Sequence, residues 1–334
     1  ESGLWLRAEW YSKKNELNWR ETVDREVISV RNSVGFCDVS TLGKIDIQGK
    51  DAQEFINKIY CNAFAKLSVG KVRYGLMLRE DGLVMDDGTT ARMSENHFIM
   101  TTTTANADSV YRHLEFCHQC LWPDMEVHLI STTDAWAQIA IAGPNSRKVI
   151  SKIIDPEFDI SNENFPFMAC KEISICGGVI ARLFRISFSG ELAYELSFPT
   201  QYALSFVNYL MEIGKEENII PYGTEALGVM RIEKGHAAGA ELNGTTTALN
   251  LNMGKMVSDN KDSIGSVLSK REGLNQSDDL KLVGIKPINS SDQLISGSHL
   301  FDLSSKVNPQ NDKGYITSSC FSPTLGSYIA LGFL

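Results

Sequence analysis

No stretch of this sequence approaches about 18 uninterrupted apolar residues, so no segment reads as a membrane-spanning helix. Positive charge is in short supply as well. Lys and Arg number 32 against 41 Asp and Glu, the formal net charge is −9, and no basic cluster is dense enough to track a phosphate backbone. Nucleic acid is therefore excluded as a partner. No Gly-x-Gly-x-x-Gly follows a strand, Cys176-Gly177-Gly178-Val179 does not fit that fingerprint, and there is no P-loop. The usual routes to NAD, FAD and ATP are closed. A Gly-x-Ser-x-Gly elbow is missing too, and Ser189-Gly190-Glu191 reads only as a turn. The seven cysteines are odd in number and irregularly spaced. They are expected to be free thiols in a reducing compartment, the cytoplasm, rather than a disulfide framework. His113-x3-Cys117-His118-x-Cys120 contains a zinc half-site but finds no second pair at matching spacing, so no metal is expected. Residues 1–10 carry neither an initiating Met nor a charged-then-apolar leader, as expected of a processed chain or a piece of a longer one.

What is present is a globular sequence of 334 residues, 43% apolar, long enough for two or three domains. Val23, Val27, Val30 and Val34 share a helical face, predicting a helix from Arg20 to about Ser33 that Gly35 stops. The alternation of Lys44–Gly49 predicts a strand feeding a helix capped near Asp51, with Phe55, Ile56 and Ile59 inward. The pattern then recurs. Ile45–Ile59 aligns without a gap to Ile139–Ile153, matching both strand isoleucines, the glycine and the final Ile-x-Lys-Ile. After each copy comes a hairpin, Val72–Met93 turning at Glu80-Asp81-Gly82 and Val179–Phe198 turning at Ser189-Gly190. Each hairpin leads to a helix, about Asn106–Cys117 and Gln201–Ile213. Hairpins flanked by helices predict an α+β fold of two related halves. Asp87 and Glu195 each stand five residues past the hairpin glycine, which would set two carboxylates at equivalent points facing one crevice. A further helix, Thr224–Lys234, carries Arg231. Four short strands, Lys281–Lys286, His299–Leu303, Tyr315–Ser319 and Ser327–Phe333, predict a small β-barrel or sandwich.

Several of these strings resemble one family. Ile186–Leu196 is similar to the Tyr-Thr-Gly-Glu-x-Gly-x-Glu segment of the glycine-cleavage T-protein (aminomethyltransferase) family. Gly35–Lys44 with Gly49–Ala52 resembles another of its motifs, and Pro221–Gly235 its Pro-x-Gly-x-x-Ala-x-x-x-Leu-Arg-x-Glu helix. Arg73–Gly82, Thr101–Thr104, Glu233–Gly235 and Thr317–Gly326 look closest to one branch, the folate-binding C-terminal half of the sarcosine oxidase α subunit. His236–Ala240 and Lys255 depart from the pattern beside the expected pocket loop.

The resemblance implies a three-domain cloverleaf with a duplicated folate-binding region and a C-terminal β-barrel. Its expected ranges are 1–49 with 134–235 for the first folate-binding domain, 50–133 for the second, and 236–334 for a linker loop and barrel. It implies tetrahydrofolate as cofactor, Asp87 as the acid near the reacting folate nitrogen, Glu195 as the grip on the pterin, and Tyr74 and Arg231 as folate contacts. The implied activity forms 5,10-methylenetetrahydrofolate from formaldehyde or an amine-derived iminium. A flavin-containing oxidase subunit or domain would supply that carbon, since the flavin and dinucleotide regions lie outside this sequence. A non-catalytic folate-binding regulatory protein and a docking module of a larger oxidase are the alternatives. Lys234-Gly235-His236 departs from the Lys-Gly-Cys-Tyr motif of the regulatory type.

Overall fold

Asn18 opens the first helix by accepting a hydrogen bond from the Glu21 backbone N–H at 3.1 Å. The helix that follows, α1 (Trp19–Asn32), turns Val23, Val27 and Val30 onto one wholly buried face. The computed structural model describes residues 5–276 and 278–334, so the start of the expected range 1–49 and Ser277 in the expected linker lie outside the described residues. The chain divides into two compact units. One holds Glu1–Asn57, Phe64–Gly75 and Asp86–Leu227; the other holds Lys58–Ala63, Leu76–Met85 and Gly228–Leu334.

The first unit runs β1 (Gly35–Asp38), β2 (Gly43–Gln48), α2 (Ala52–Ile59) as far as Asn57, β3 (Lys71–Leu78) as far as Gly75, β4 (Val84–Ser94) from Asp86, β5 (His97–Thr102), α3 (Ala107–Phe116) and β6 (His128–Ser131). It continues through β7 (Trp136–Ala142), α4 (Ser146–Ser151), β8 (Cys170–Ile175), β9 (Val179–Phe184), β10 (Ala193–Pro199), α5 (Ala203–Ile213) and β11 (Ile220–Pro221). These strands make a five-stranded sheet, β6-β2-β5-β4-β3, and a six-stranded sheet, β11-β1-β7-β10-β9-β8. The two aligned copies of the sequence, β2 with α2 and β7 with α4, occupy the same place in each order. Phe55, Ile56 and Ile59 are wholly buried, as expected.

Pairing also corrects one expectation. Ile45 opposes Met100 and Ile139 opposes Leu196, so β10 stands where β5 stands, and the register position of Glu195 belongs in the other sheet to Ile99. Asp87 lies on β4, whose place is that of β9. The two acids are not equivalents. Counting from the hairpin glycines misleads because Gly82 lies between β3 and β4 whereas Gly190 lies between β9 and β10, and the counterpart of β3 and β4 in the other sheet is β8 and β9.

β2 is buried on both faces, Ile45 and Ile47 on one and Lys44 and Asp46 on the other. Asp46 is gripped by the Arg182 guanidinium of β9 through two bonds, 3.0 and 2.8 Å, joining the two sheets within this unit. Arg182 also lies over the Trp136 ring at 4.0 Å. Burial would raise the Asp46 carboxyl, but His97 and Arg182 outweigh it and hold it below the ordinary carboxylate range.

The second unit contains α6 (Thr224–Lys234) beyond Leu227, then β12 (Leu282–Ile285), β13 (His299–Leu300), β14 (Gly314–Ser322) and β15 (Ser327–Phe333). The four strands expected near the C-terminus are present. Their antiparallel order is β12-β15-β14-β13, an open sheet among the described residues. Cys61, Leu76, Leu78, Val84, Ala248, Leu251 and Phe333 form its core. Among the described residues no helix is long and apolar enough to cross a membrane.

Candidate functional site

β4 places two neighbouring carboxylates on opposite sides of the strand. Asp86 is 2% exposed and accepts from Asn106 Nδ2 at 2.9 Å and from the Thr103 backbone N–H at 3.2 Å. Asp87 is half-buried. It accepts from the Tyr74 hydroxyl of β3 at 2.9 Å and, more weakly, from Thr103 Oγ1 at 3.4 Å. Thr103 follows β5 directly, so its backbone serves one acid and its side chain the other. Burial pushes Asp86 up to about 7, with the Asp87 charge adding to it against the bonds from Asn106 and Thr103. Burial raises Asp87 as well, against its bonds from Tyr74 and Thr103. A carboxylate so raised is a stronger proton acceptor than a surface aspartate.

Glu195 lies on β10, half-buried, in the other sheet of the same unit. Its Oε2 accepts from Gln138 Nε2, the one hydrogen bond that the Glu195 carboxylate receives among the described residues. Burial pushes its carboxyl up to about 7, opposed by Gln138 and by the charge of Lys44. Lys44 is itself only 2% exposed, with Nζ donating to the carbonyls of Ser40 at 2.6 Å and Leu42 at 3.1 Å. Burial brings it down to about 8.

Arg231 lies in the other unit, on α6. Its guanidinium donates to Glu241 Oε2 at 2.8 Å, to the His236 carbonyl at 3.2 Å and to Ser318 Oγ at 2.7 Å. Glu241 is wholly buried and also accepts from Thr317 and Ser318. Burial would raise its carboxyl, but Arg231 and the two hydroxyls hold it low. The structure thus joins Tyr74 to Asp87 directly, and places Glu195 on the second sheet of their unit. Arg231 is committed to Glu241 within its own unit.

Sequence reasoning passed over Gln138, Lys44, Asn106 and Glu241. Lys44 alternates with Ile45 and Ile47, so the sequence assigns it only to a polar face of the strand. Glu241 carried no signal, since it sits in a loop. His113 and Cys117 share a helix face, with Nε2 and Sγ 3.6 Å apart, and no group of three or more metal-ligating side chains occurs among the described residues.

A family model described as the GCVT N-terminal domain matches residues 1–261. The chain is 54% identical over 336 residues to the sarcosine oxidase subunit alpha of Rhizobium meliloti (strain 1021), covering 100% of this chain and 34% of that protein. It is 41% identical over 337 residues to the same-named subunit of Corynebacterium sp. (strain U-96), covering 99% and 34%. Against the aminomethyltransferase of Thermoanaerobacter sp. (strain X514) the identity is 28% over 320 residues, covering 94% and 82%. The chain therefore spans about a third of the length of the sarcosine oxidase subunits it matches. A crystal structure of the glycine cleavage system aminomethyltransferase T from Bartonella henselae superposes with a TM-score of 0.81 at 23% identity, over 98% of this chain and 86% of that one, which shows the shared fold. With the family model matching residues 1–261 of the 334, this chain belongs to the GCVT N-terminal domain family.

Proposed function

We propose that this chain binds tetrahydrofolate and carries out one-carbon transfer onto it, forming 5,10-methylenetetrahydrofolate from formaldehyde or an amine-derived iminium such as that from sarcosine. The observation that carries the reading is Asp87, a half-buried acid with a raised pKa, steadied by Tyr74 and Thr103 in a chain of this family. When bound, the folate supplies a nucleophilic nitrogen for the incoming carbon. Asp87 takes or shares the proton of that nitrogen and offsets positive charge developing beside it. Tyr74 holds Asp87 in place through its hydroxyl. Glu195 offers Oε1, which accepts no hydrogen bond among the described residues, and the second lone pair of Oε2, fitting the paired N–H edge of a pterin, which an ionised carboxylate accepts in bidentate fashion. A contact from Arg231 to a ligand carboxylate would use the donors that Glu241, His236 and Ser318 leave.

The two sheets and the C-terminal sheet are on this reading the three lobes of a cloverleaf, with the domain ranges expected from the sequence changed in that β2 joins the five-stranded sheet and residues 58–63, 76–85 and 228–235 go with the C-terminal sheet. The carbon donor would come from a flavin-containing oxidase subunit or domain, as the sarcosine oxidase names of the relatives suggest. Titration calorimetry with tetrahydrofolate, followed by a formaldehyde-fed transfer assay, tests both halves. Binding without transfer would leave a folate-binding regulatory protein or a docking module. No binding at all would remove the reading.

A further inference from the structure

Gln138 stands between two groups that leave its amide one orientation. It is 1% exposed on β7, directly opposite Ser197 of β10, and Glu195 lies two residues along β10 on the same face. The Glu195 carboxylate accepts from Nε2, so Oε1 must face Ser197, whose hydroxyl donates to it at 2.9 Å. Ser197 is 2% exposed, and the relay has no water-facing member until Glu195 itself. With Oε2 committed as an acceptor, a proton on Glu195 resides on Oε1, the oxygen left for a ligand. Neutral Glu195 then presents an O–H donor, whereas ionised Glu195 presents acceptors only.

We propose that Gln138, aligned by Ser197, is the positioning residue that fixes which oxygen Glu195 offers, so that an edge of paired N–H donors is admitted only with loss of the carboxyl proton to solvent. The proposal rests on the reading of Glu195 as the folate grip. The balance is simple: the Glu195 O–H bond breaks, the proton leaves to water, and the carboxylate accepts the N–H donors. Burial pushes the Glu195 carboxyl up to about 7, which brings its loss of a proton into the neutral range. Among the described residues, two other titratable groups share its electrostatic surroundings. Lys44 from β2 favours the ionised form, and Tyr222, pushed far above 10 chiefly by burial, stays neutral.

Titration calorimetry with tetrahydrofolate between about pH 5.5 and about pH 8.5, in two buffers of different ionisation enthalpy, reads the linkage. The unaltered chain should release part of a proton per folate bound below about pH 7, with affinity rising to a plateau above it. Gln138→Met should move the midpoint up by about one pH unit and weaken binding about tenfold at neutral pH, while the plateau stays within about threefold. Ser197→Ala should move it the same way by less. Carboxyl 13C resonances report the Glu195 midpoint directly in the unliganded chain. A midpoint unmoved in both variants, or affinity lost by one factor at every pH, overturns the proposal. If the unaltered chain binds no tetrahydrofolate, the functional reading falls, and the unliganded carboxyl titration still decides the role of Gln138.

Discussion

The Tyr74 hydroxyl donates to Asp87 Oδ2 at 2.9 Å, tying together two half-buried side chains on the two strands of one hairpin. That bond fixes the acid without neutralising it, since a phenol gives up its proton only near its ordinary pKa of about 10.

Asp87→Asn keeps the size of the side chain and removes its basicity. One-carbon transfer fed with formaldehyde should fall by roughly 10² to 10⁴, while tetrahydrofolate affinity changes by less than about threefold. Tyr74→Phe should show a smaller loss, about tenfold, because the acid remains but is free to turn. Equal activity in Asp87→Asn and the unaltered chain would remove Asp87 from the chemistry.

Glu195→Gln exchanges an acceptor-only carboxylate for an amide that presents N–H donors of its own. Tetrahydrofolate should bind at least about tenfold more weakly, consistent with about 1.5–3 kcal/mol for a hydrogen bond to a charged group. An unchanged dissociation constant in titration calorimetry would show that Glu195 does not touch the ligand.

Asp86 makes stability depend on pH in a defined direction. Its folded pKa, about 7, lies above the ordinary 3.8, so between these values the folded chain holds a proton that the unfolded chain has lost. Its contribution is full below about pH 4, declines as pH rises towards about 7, and is then constant. Asp86→Asn should accordingly melt higher than the unaltered chain at about pH 8, by on the order of 1–4 kcal/mol, and show little difference at about pH 4. A stability difference independent of pH would contradict this.

Arg231→Met strands the wholly buried Glu241 without its cation. Urea unfolding should show a loss of about 3–5 kcal/mol, and adding Glu241→Gln should restore part of it. A variant of full stability that only weakens folate binding would place Arg231 at the ligand instead.

Much of this architecture was legible before any coordinates. The repeat beginning at Ile45 and Ile139 marked the two strands that sit between antiparallel partners in each sheet, because a strand–helix unit with one apolar face recurs wherever the same packing recurs. The hairpin of β3 and β4, on which Tyr74 meets Asp87, was legible as well. The association of Asp87 with Glu195 was not, because place in the sheet order, and not a residue count from a turn glycine, decides which strands correspond. Gln138 and Lys44 stayed hidden for a related reason. They occupy the same position of the aligned strands, and alternation along a strand predicts a polar face without saying whether water or a second sheet covers it. Glu241 became visible only once the loop after α6 returned to meet Arg231 and Ser318.

The Asp46–Arg182 clasp has a consequence for how the chain finds its native arrangement. A guanidinium fork meets a carboxylate in few geometries, and side chains along β2 change face with every residue. A one-residue slip of β2 in the register of its own sheet would turn Ile45 or Ile47 towards Arg182 and leave its charge enclosed without an anion. The clasp therefore acts as a key, penalising misaligned collapse more than it strengthens the native state.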